Sequence, residues 1–179
     1  MRKLKNEELG RLDADAFKEA PKTPVVLVLD NIRSLHNVGS VFRSADAFRI
    51  EKIYLCGITA APPHKDIRKT ALGATETVAW EYRENTVSLL ESLRDTHECW
   101  AVEQADGSVS LEEFQPDLTK RYAFVLGHEV RGVSQEAINS CRGVVEIPQQ
   151  GTKHSLNIAV AAGVVLWDFW CKIQKKSPA

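Results

Sequence analysis

The sequence of 179 residues has almost no net charge and no apolar run long enough to cross a membrane. Its 23 lysines and arginines nearly balance its 24 aspartates and glutamates, which leaves a formal charge of -1. This balance excludes a global electrostatic field that draws the protein to nucleic acid or to an anionic membrane, so any affinity for RNA must come from a local patch. The longest uncharged apolar run, residues 158–167, is far shorter than the roughly 20 residues of a membrane-spanning helix.

Cysteine motifs and several well-known catalytic loops are also absent. The four cysteines form no C-x-x-C pair and follow no secretory signal, so we expect reduced thiols in a soluble cytoplasmic protein. Residues 127–134, GHEVRGVS, have the glycine spacing of a phosphate-binding P-loop but carry Val133 where that loop needs lysine. The pair His128-Glu129 lacks the second histidine of a zinc protease, and no G-x-G-x-x-G occurs. These absences argue against an NTPase, a zincin and a dinucleotide-binding enzyme.

Short apolar runs alternate with helix-period stretches, which predicts an α/β domain with a mostly parallel, six-stranded sheet. The predicted strands cover residues 25–29, 53–58, 100–102, 122–126 and 144–147, with residues 77–80 as a candidate sixth. Residues 1–22 resemble a short amphipathic helical arm, because a few apolar side chains lie among charges there. The chain length suits one domain, which we expect over residues 23–175.

A helix predicted from Ser155 onward is unusual, because residues 158–167 are apolar all round rather than along one stripe. Such a helix needs cover on both sides. The pattern leaves two interpretations open: a core helix buried within the domain, or a helix shared between the domain core and a second copy of the chain.

The first motif is NVGSVFR at residues 37–43. We expect a loop up to Asn37 and a helix that begins at Val38. Helical side chains lean toward the N-terminus, so the guanidinium of Arg43 would lie over the free N–H groups of Gly39 and Ser40. A helix N-terminus combined with a guanidinium fork suits one phosphate of an RNA backbone.

Two further motifs follow predicted strands. Residues 126–133, LGHEVRGV, form a loop at the carboxyl end of a strand, which is a usual ligand position in α/β sheets, and they supply the carboxylate of Glu129. Residues 147–157, IPQQGTKHSLN, lead from a strand into the apolar helix. Asn157 lies beside a face with no other polar residue, so a buried amide there would need partners and would organise the neighbouring loops.

Each motif residue also has a plain structural interpretation. Arg43 could form an ordinary surface ion pair with Asp30 or Asp46. Glu129 could be a simple loop carboxylate. Ser155 is well placed to be the N-cap of the apolar helix, which is compatible with a functional role.

Taken together, the three motifs resemble the signature motifs of the SpoU (TrmH-like) branch of the SPOUT RNA methyltransferases, and the resemblance extends over residues 25–167. It implies a deep C-terminal trefoil knot, an exception to the rule that chains do not thread loops, in which backbone groups hold a bent S-adenosylmethionine. By the match of motifs, the cofactor positions are Gly127, Ile147 and Leu156, and the catalytic or site-organising positions are Asn37, Arg43, Glu129, Ser155 and Asn157.

The resemblance implies methylation of a ribose 2′-hydroxyl in tRNA or rRNA, without a metal, by a homodimer formed through the knot and the C-terminal helix. The sulfonium methyl is electrophilic, so the protein must align the 2′-oxygen and help to remove its proton. A guanidinium holds its proton too firmly for an ordinary base, so we assign Arg43 to a phosphate and to the developing alkoxide. Asn37 would fix the first motif, Glu129 would orient Arg43 or the ribose, and Ser155 and Asn157 would hold the knot.

Two alternatives stay open. Other SPOUT branches methylate base nitrogens, with motifs that differ from these, and a chain that keeps the fold could bind RNA without catalysis. The joint presence of Arg43, Glu129 and Asn157 argues against the second alternative. A basic extension found in several tRNA-modifying relatives is missing, which puts tRNA in doubt. Basic residues at 64–69 offer an RNA backbone track, although a solvated helix face explains that stretch equally well.

Overall fold

A computed structural model, described over residues 1–176, has at its centre a seven-stranded sheet in which the strand ladders are parallel. The strands are β1 Thr23–Asp30, β2 Ile50–Cys56, β3 Trp80–Arg83, β4 Glu98–Val102, β5 Val109–Ser110, β6 Tyr122–Leu126 and β7 Gly143–Glu146, in the spatial order β3-β2-β1-β6-β4-β7-β5. The α/β class and the parallel sheet are confirmed.

The predicted number of six strands is wrong. β5 has only two residues, too few for a period-2 pattern, so its pairing with β7 follows from tertiary position alone. The candidate strand at residues 77–80 is also misplaced, because Thr77 ends a helix and the strand starts at Trp80.

Helices cover both faces of the sheet. They are α1 Ala14–Glu19, α2 Leu35–Ala47, α3 Lys65–Ala71, α4 Ala74–Thr77, α5 Thr86–Leu93, α6 Gln135–Ser140 and α7 Ile158–Lys176, with a short 3-10 turn at Asn6–Leu9. The central strand β1 shows why this arrangement forms. Its Val25 and Leu27 lie in the core cluster that contains α2 and α7, whereas Val26 and Val28 lie in the cluster that contains α5 and α6. A strand buried on both faces is typical of parallel sheets.

The topology brings the sequence motifs to one edge of the sheet. From β1 the chain builds outward through β2 and β3, and it then crosses to the other side, where β6 lies between β1 and β4. Ligands in open α/β sheets bind at the carboxyl ends of the strands near such a reversal of strand order. The loops that follow β1, β4, β6 and β7 all start at this edge.

The apolar helix α7 has one buried side and one exposed side. Ala162, Val165 and Leu166 are buried, whereas Val160 and Trp167 are 52% and 55% exposed. The domain core therefore covers one side of the helix, and its outer apolar face has no cover within the described chain. The helix begins at Ile158 rather than at Ser155.

The N-terminal segment contacts the domain mainly through one side chain. Phe17 on α1 is buried in the core cluster, whereas Leu4, Leu9 and Leu12 are exposed. The four cysteines are free thiols. None of the helices in residues 1–176 is long and apolar enough to span a membrane.

Candidate active site

A pocket of about 700 Å³ lies at the carboxyl edge of the sheet, between the loops after β4, β6 and β7 and the start of α7. The three predicted cofactor positions, Gly127, Ile147 and Leu156, all line it. Of the predicted site-organising residues, Glu129, Ser155 and Asn157 line it as well.

Gly127 allows the pocket loop to fold back on itself. A Cβ at this position would lie 2.1 Å from the carbonyl carbon of Gly132 and 2.1 Å from the nitrogen of Val133. The loop closes through two backbone hydrogen bonds: the N–H of His128 donates to the oxygen of Gly132 at 3.0 Å, and the N–H of Gly132 donates back at 2.8 Å. Gly132 has φ +68°, a left-handed conformation that favours glycine. Both glycines are therefore required by local geometry.

Glu129 is held by three donors from the segment after β1. Its carboxylate accepts the N–H of Arg33 at 3.0 Å, the N–H of Ser34 at 2.9 Å and the Nδ2 of Asn37 at 3.0 Å. Burial by itself would raise the pKa of Glu129, but these hydrogen bonds outweigh it and hold the pKa below its usual range. The carboxylate therefore stays charged and fixes the second motif to the first.

Asn157 extends this connection to the third motif. Its Nδ2 donates to the Oδ1 of Asn37 at 3.1 Å, and its Oδ1 accepts the N–H of Ala159 at 2.9 Å. Glu129, Asn37 and Asn157 thus form one chain of hydrogen bonds, which we call the motif network. Because the amide of Asn37 both donates and accepts, its orientation is set by its two partners. The network joins segments that are far apart in sequence.

The start of α2 differs from the prediction. The helix begins at Leu35, and the hydroxyl of Ser34 caps it by accepting the N–H of Asn37 at 3.2 Å. Asn37 therefore lies in the first helical turn, and the predicted anion pocket at Gly39 and Ser40 is wrong, because N–H groups one turn further along bond within the helix. Gly39 instead lets α2 approach α3, since a Cβ there would lie 2.3 Å from the oxygen of Ile67.

The start of α7 also differs. Asn157 caps the helix, because its backbone oxygen accepts the N–H of Ala161 at 2.9 Å and its side chain accepts that of Ala159. Ser155 is exposed at the pocket and is not the N-cap. Asn157 is itself exposed rather than buried as expected, although its amide joins the neighbouring loops.

Arg43 lies apart from this pocket. It is exposed, and within residues 1–176 its side chain forms no hydrogen bond or ion pair, so neither the predicted pairing with Asp30 or Asp46 nor an orientation by Glu129 is present. It borders a groove of about 460 Å³, the α2 groove, whose other lining residues are Ser40, Ser44, Ala47, Phe48, Lys69 and Thr70. The guanidinium is therefore available to a ligand.

Glu103 and Gln104, which none of the three motifs indicated, also line the pocket. Glu103 accepts the N–H of Val133 at 3.0 Å, and Gln104 donates from Nε2 to the oxygen of His154 at 2.7 Å. Their position directly after a predicted strand was a usable signal, because it places both residues at the same edge of the sheet as the motifs. The sequence does not show, however, that β4 lies between β6 and β7, and this neighbourhood is what brings the two residues to the pocket.

Residues 24–167 match the model of the SpoU rRNA Methylase family. The chain is 30% identical over 165 residues to the 23S rRNA (guanosine-2'-O-)-methyltransferase RlmB of Haemophilus ducreyi, an alignment that covers 92% of this chain and 67% of that protein. A similar relative from Haemophilus influenzae is 33% identical over 162 residues, with 90% of this chain and 65% of that protein covered. The chain thus spans about two thirds of the length of the curated relatives it matches.

Solved structures show the same fold. The A. aeolicus TrmH/SpoU tRNA modifying enzyme superposes with a TM-score of 0.78 at 25% identity, covering 89% of this chain and 80% of that one. The SpoU methyltransferase AviRb from Streptomyces viridochromogenes, solved in complex with the cofactor AdoMet, superposes with a TM-score of 0.76 at 21% identity, covering 91% of this chain and 65% of that one. The latter likeness concerns the fold alone.

Proposed function

Since the chain belongs to the SpoU rRNA methylase family, we propose that it transfers the methyl group of S-adenosylmethionine to a ribose 2′-hydroxyl of RNA. The observation that carries the proposal is the motif network, in which Glu129, Asn37 and Asn157 bring three distant motifs to one pocket. Ribosomal RNA is the proposed substrate class, because the matched relatives are named as 23S rRNA methyltransferases.

The pocket has the chemistry that this cofactor requires. Its volume of about 700 Å³ lies within the range of small-molecule sites. Apolar side chains, including Ile147 and Leu156, supply surface for a nucleoside, and at Gly127 the loop is folded too tightly to hold a side chain. In this proposal Gly127, Ile147 and Leu156 hold S-adenosylmethionine mainly through their main chain. When bound, the cofactor supplies the electrophilic methyl group.

The residues of the chain divide the remaining work. Arg43 binds an RNA phosphate and stabilises the oxyanion that develops at the ribose 2′-position, because a guanidinium keeps its charge and presents several donors. The motif network positions the loops around the cofactor, with Glu129 and Asn37 fixed by hydrogen bonds that already exist in the free chain. Ser155, exposed at the pocket, is free to contact the substrate.

The proposal includes a homodimer. Trp167 on the exposed face of α7 stacks on Trp170, with 5.5 Å between the ring centroids. Its ring centroid lies 6.2 Å from that of Phe48, which borders the α2 groove. A second copy that covers this apolar face would bring the groove with Arg43 next to a pocket that Arg43 does not reach in its own chain. Exposed apolar surface of this kind marks interaction sites.

The remaining architectural predictions belong to the same proposal. The segments at residues 127–134 and 147–157 would form a deep trefoil knot, supported by their positions after strands that β4 separates. Residues 1–22 would be an arm attached to a methyltransferase domain at residues 23–175. The enzyme would act in the cytoplasm, where its cofactor and RNA occur together.

Calorimetric titration of the purified protein tests the cofactor assignment. We expect saturable binding of S-adenosylmethionine, whereas a module that only binds RNA gives no saturable signal. Mass-spectrometric mapping of rRNA from cells with and without the gene then tests the reaction. Loss of one ribose 2′-O-methyl group supports the proposal, and loss of a methylated base nitrogen contradicts it.

A further inference from the structure

Glu103 places a carboxylate in the pocket without a cationic partner. Its Oε1 accepts the N–H of Gln104 at 2.9 Å and its Oε2 accepts the N–H of Val133 at 3.0 Å. No lysine, arginine or histidine forms an ion pair with it within residues 1–176. A carboxylate offers about four acceptor positions, so roughly half of its capacity is unused.

The second carboxylate of the pocket, Glu129, has less unused hydrogen-bonding capacity. Glu129 accepts three donors from the segment after β1 and holds the motifs together. Glu103 follows a different strand, β4, and lies against the loop at Gly132, where a Cβ would be only 2.0 Å from its Oε2. The absence of a side chain at Gly132 therefore leaves room for this carboxylate at the pocket.

We propose that Glu103 accepts hydrogen bonds from the two ribose hydroxyls of the adenosine of S-adenosylmethionine, an inference that rests on the proposed function. A vicinal diol presents two neutral donors, which match the two oxygens of a carboxylate that each hold one backbone N–H. Acidic side chains at strand ends bind ribose hydroxyls in other nucleotide sites by this chemistry.

The surroundings favour the ribose over the amino group of the methionine part. Glu103 shares the pocket with the apolar side chains of Val102, Leu126 and Ile147, which suit a nucleoside. A zwitterionic amino acid group is better placed toward solvent, because an ion loses more hydration on burial than a hydroxyl does. The residue therefore selects a ribonucleoside, while the motif network organises the loops.

The test separates this contact from the role of Glu103 in holding Val133. Calorimetry measures binding of S-adenosylhomocysteine and of its 2′-deoxy and 3′-deoxy analogues to the full chain and to Glu103→Gln. Glu136→Gln, an exposed change in the first turn of α6, is the matched control. In the wild-type chain each missing hydroxyl should weaken binding about 10- to 100-fold, as expected for a hydrogen bond to a charged group.

In Glu103→Gln the two analogues should bind within about threefold of the parent compound, because the carboxylate that distinguishes them is gone. Equal binding of all three ligands by the wild-type chain overturns the inference. So does a variant that weakens the three ligands by the same factor, since that result assigns Glu103 to the Val133 loop alone. If the wild-type chain binds no S-adenosylhomocysteine at all, the proposed function itself fails and the inference with it.

Discussion

The two ends of helix α2 differ in whether their polar side chains already have hydrogen-bond partners within the chain. At the N-terminal end, the amide of Asn37 is bonded to both Glu129 and Asn157. Six residues further on, roughly 9 Å along the helix axis, Arg43 is exposed and has no partner within the described residues. One end is organised by the chain, whereas the other is open to a ligand.

This difference teaches which part of the site is complete in a single chain. Satisfied hydrogen bonds hold the pocket end in one geometry before any ligand arrives, which favours binding and orientation. An unpaired guanidinium keeps its donors for an incoming phosphate. The pocket end is therefore already formed in a single chain, whereas the proposal requires the substrate and a second chain to complete the site around Arg43.

The largest expected effect is at Arg43. Arg43→Ala should lower single-turnover methyl transfer to rRNA by roughly 100- to 1,000-fold, as removal of a transition-state donor does. Affinity for S-adenosylmethionine should change by less than about threefold, because Arg43 does not line the pocket. Arg43→Lys should also be severe, since an ammonium cannot reproduce the planar fork.

The control for this change is Arg142→Ala, which removes an arginine that pairs with Glu98 at the opposite edge of the sheet. Its methyl transfer should match that of the wild type. If Arg43→Ala lost activity and cofactor affinity to the same extent, Arg43 would belong to the cofactor site, and the two ends of α2 would not differ in role.

The next largest effect is expected in the pocket loop at Gly127. Gly127→Ala should weaken binding of S-adenosylmethionine at least about tenfold and destabilise the fold by about 1–3 kcal/mol, because the new Cβ overlaps the backbone at Gly132. Gly151→Ala in the third motif is the matched control, since a Cβ there meets nothing within 4 Å. Calorimetry and urea unfolding measure both quantities. Equal affinities in the two variants would mean that the loop at Gly127 is not part of the cofactor site.

A substitution that breaks the proposed dimer tests whether the Arg43 end of α2 depends on a second chain. Trp167→Glu should raise the dimer dissociation constant at least about 30-fold, as loss of a central aromatic contact does. Methyl transfer should fall with it, while the secondary structure stays intact because Trp167 is more than half exposed in one chain. Sedimentation over a concentration series measures the dissociation constant, and Gln174→Glu on the same helix is the control. A monomeric wild-type chain at micromolar concentration contradicts the proposal.

A smaller effect is expected in the salt dependence of RNA binding. The wild-type slope of log affinity against log salt should be about -2 to -4, because few phosphates meet a local patch and each contributes roughly -0.7 on single-stranded RNA. Removal of Lys65, Arg68 and Lys69 on α3 should flatten it by about two units. Lys69 is already paired with Asp66 at 2.9 Å, so the first two should carry most of the change. An unchanged slope in the triple variant would make α3 a solvated face.

The smallest expected effect is the pH dependence of the stability that Glu129 contributes to the fold. Its folded-state pKa lies below its usual range, so its charged form stabilises the fold above the unfolded pKa, near 4.3 for glutamate, and this contribution is lost as the pH falls. Glu129→Gln should therefore be less stable than the wild type at pH 7, with a difference that shrinks below about pH 4. Urea unfolding from pH 3 to pH 8 tests this, with Glu136→Gln as control. A difference independent of pH would show that the charge of Glu129 is not what joins the motifs.

Much of this protein followed from local sequence. The apolar runs predicted five of the seven strands, because a strand buried on both faces must be continuously apolar. On α2 the buried residues Val38, Val41, Phe42 and Ala45 have the spacing of one helical face, which is likewise a local property of the sequence. The three motifs identified the family and the pocket positions Gly127, Ile147 and Leu156, since glycine and turn chemistry at strand ends is a local property.

Other features were decided only by tertiary structure. The two-residue strand β5 has no pattern of its own, and the partners of Asn37 and Asn157 come from segments about 90 to 120 residues away, as the pairs with Glu129 and with each other show. The same holds for Glu103, which becomes part of the pocket because β4 lies next to β6 and β7. Local sequence determines which backbone conformations and buried faces are favourable, but the partners of a polar side chain depend on the order in which strands assemble, and that order is set by packing of the whole sheet.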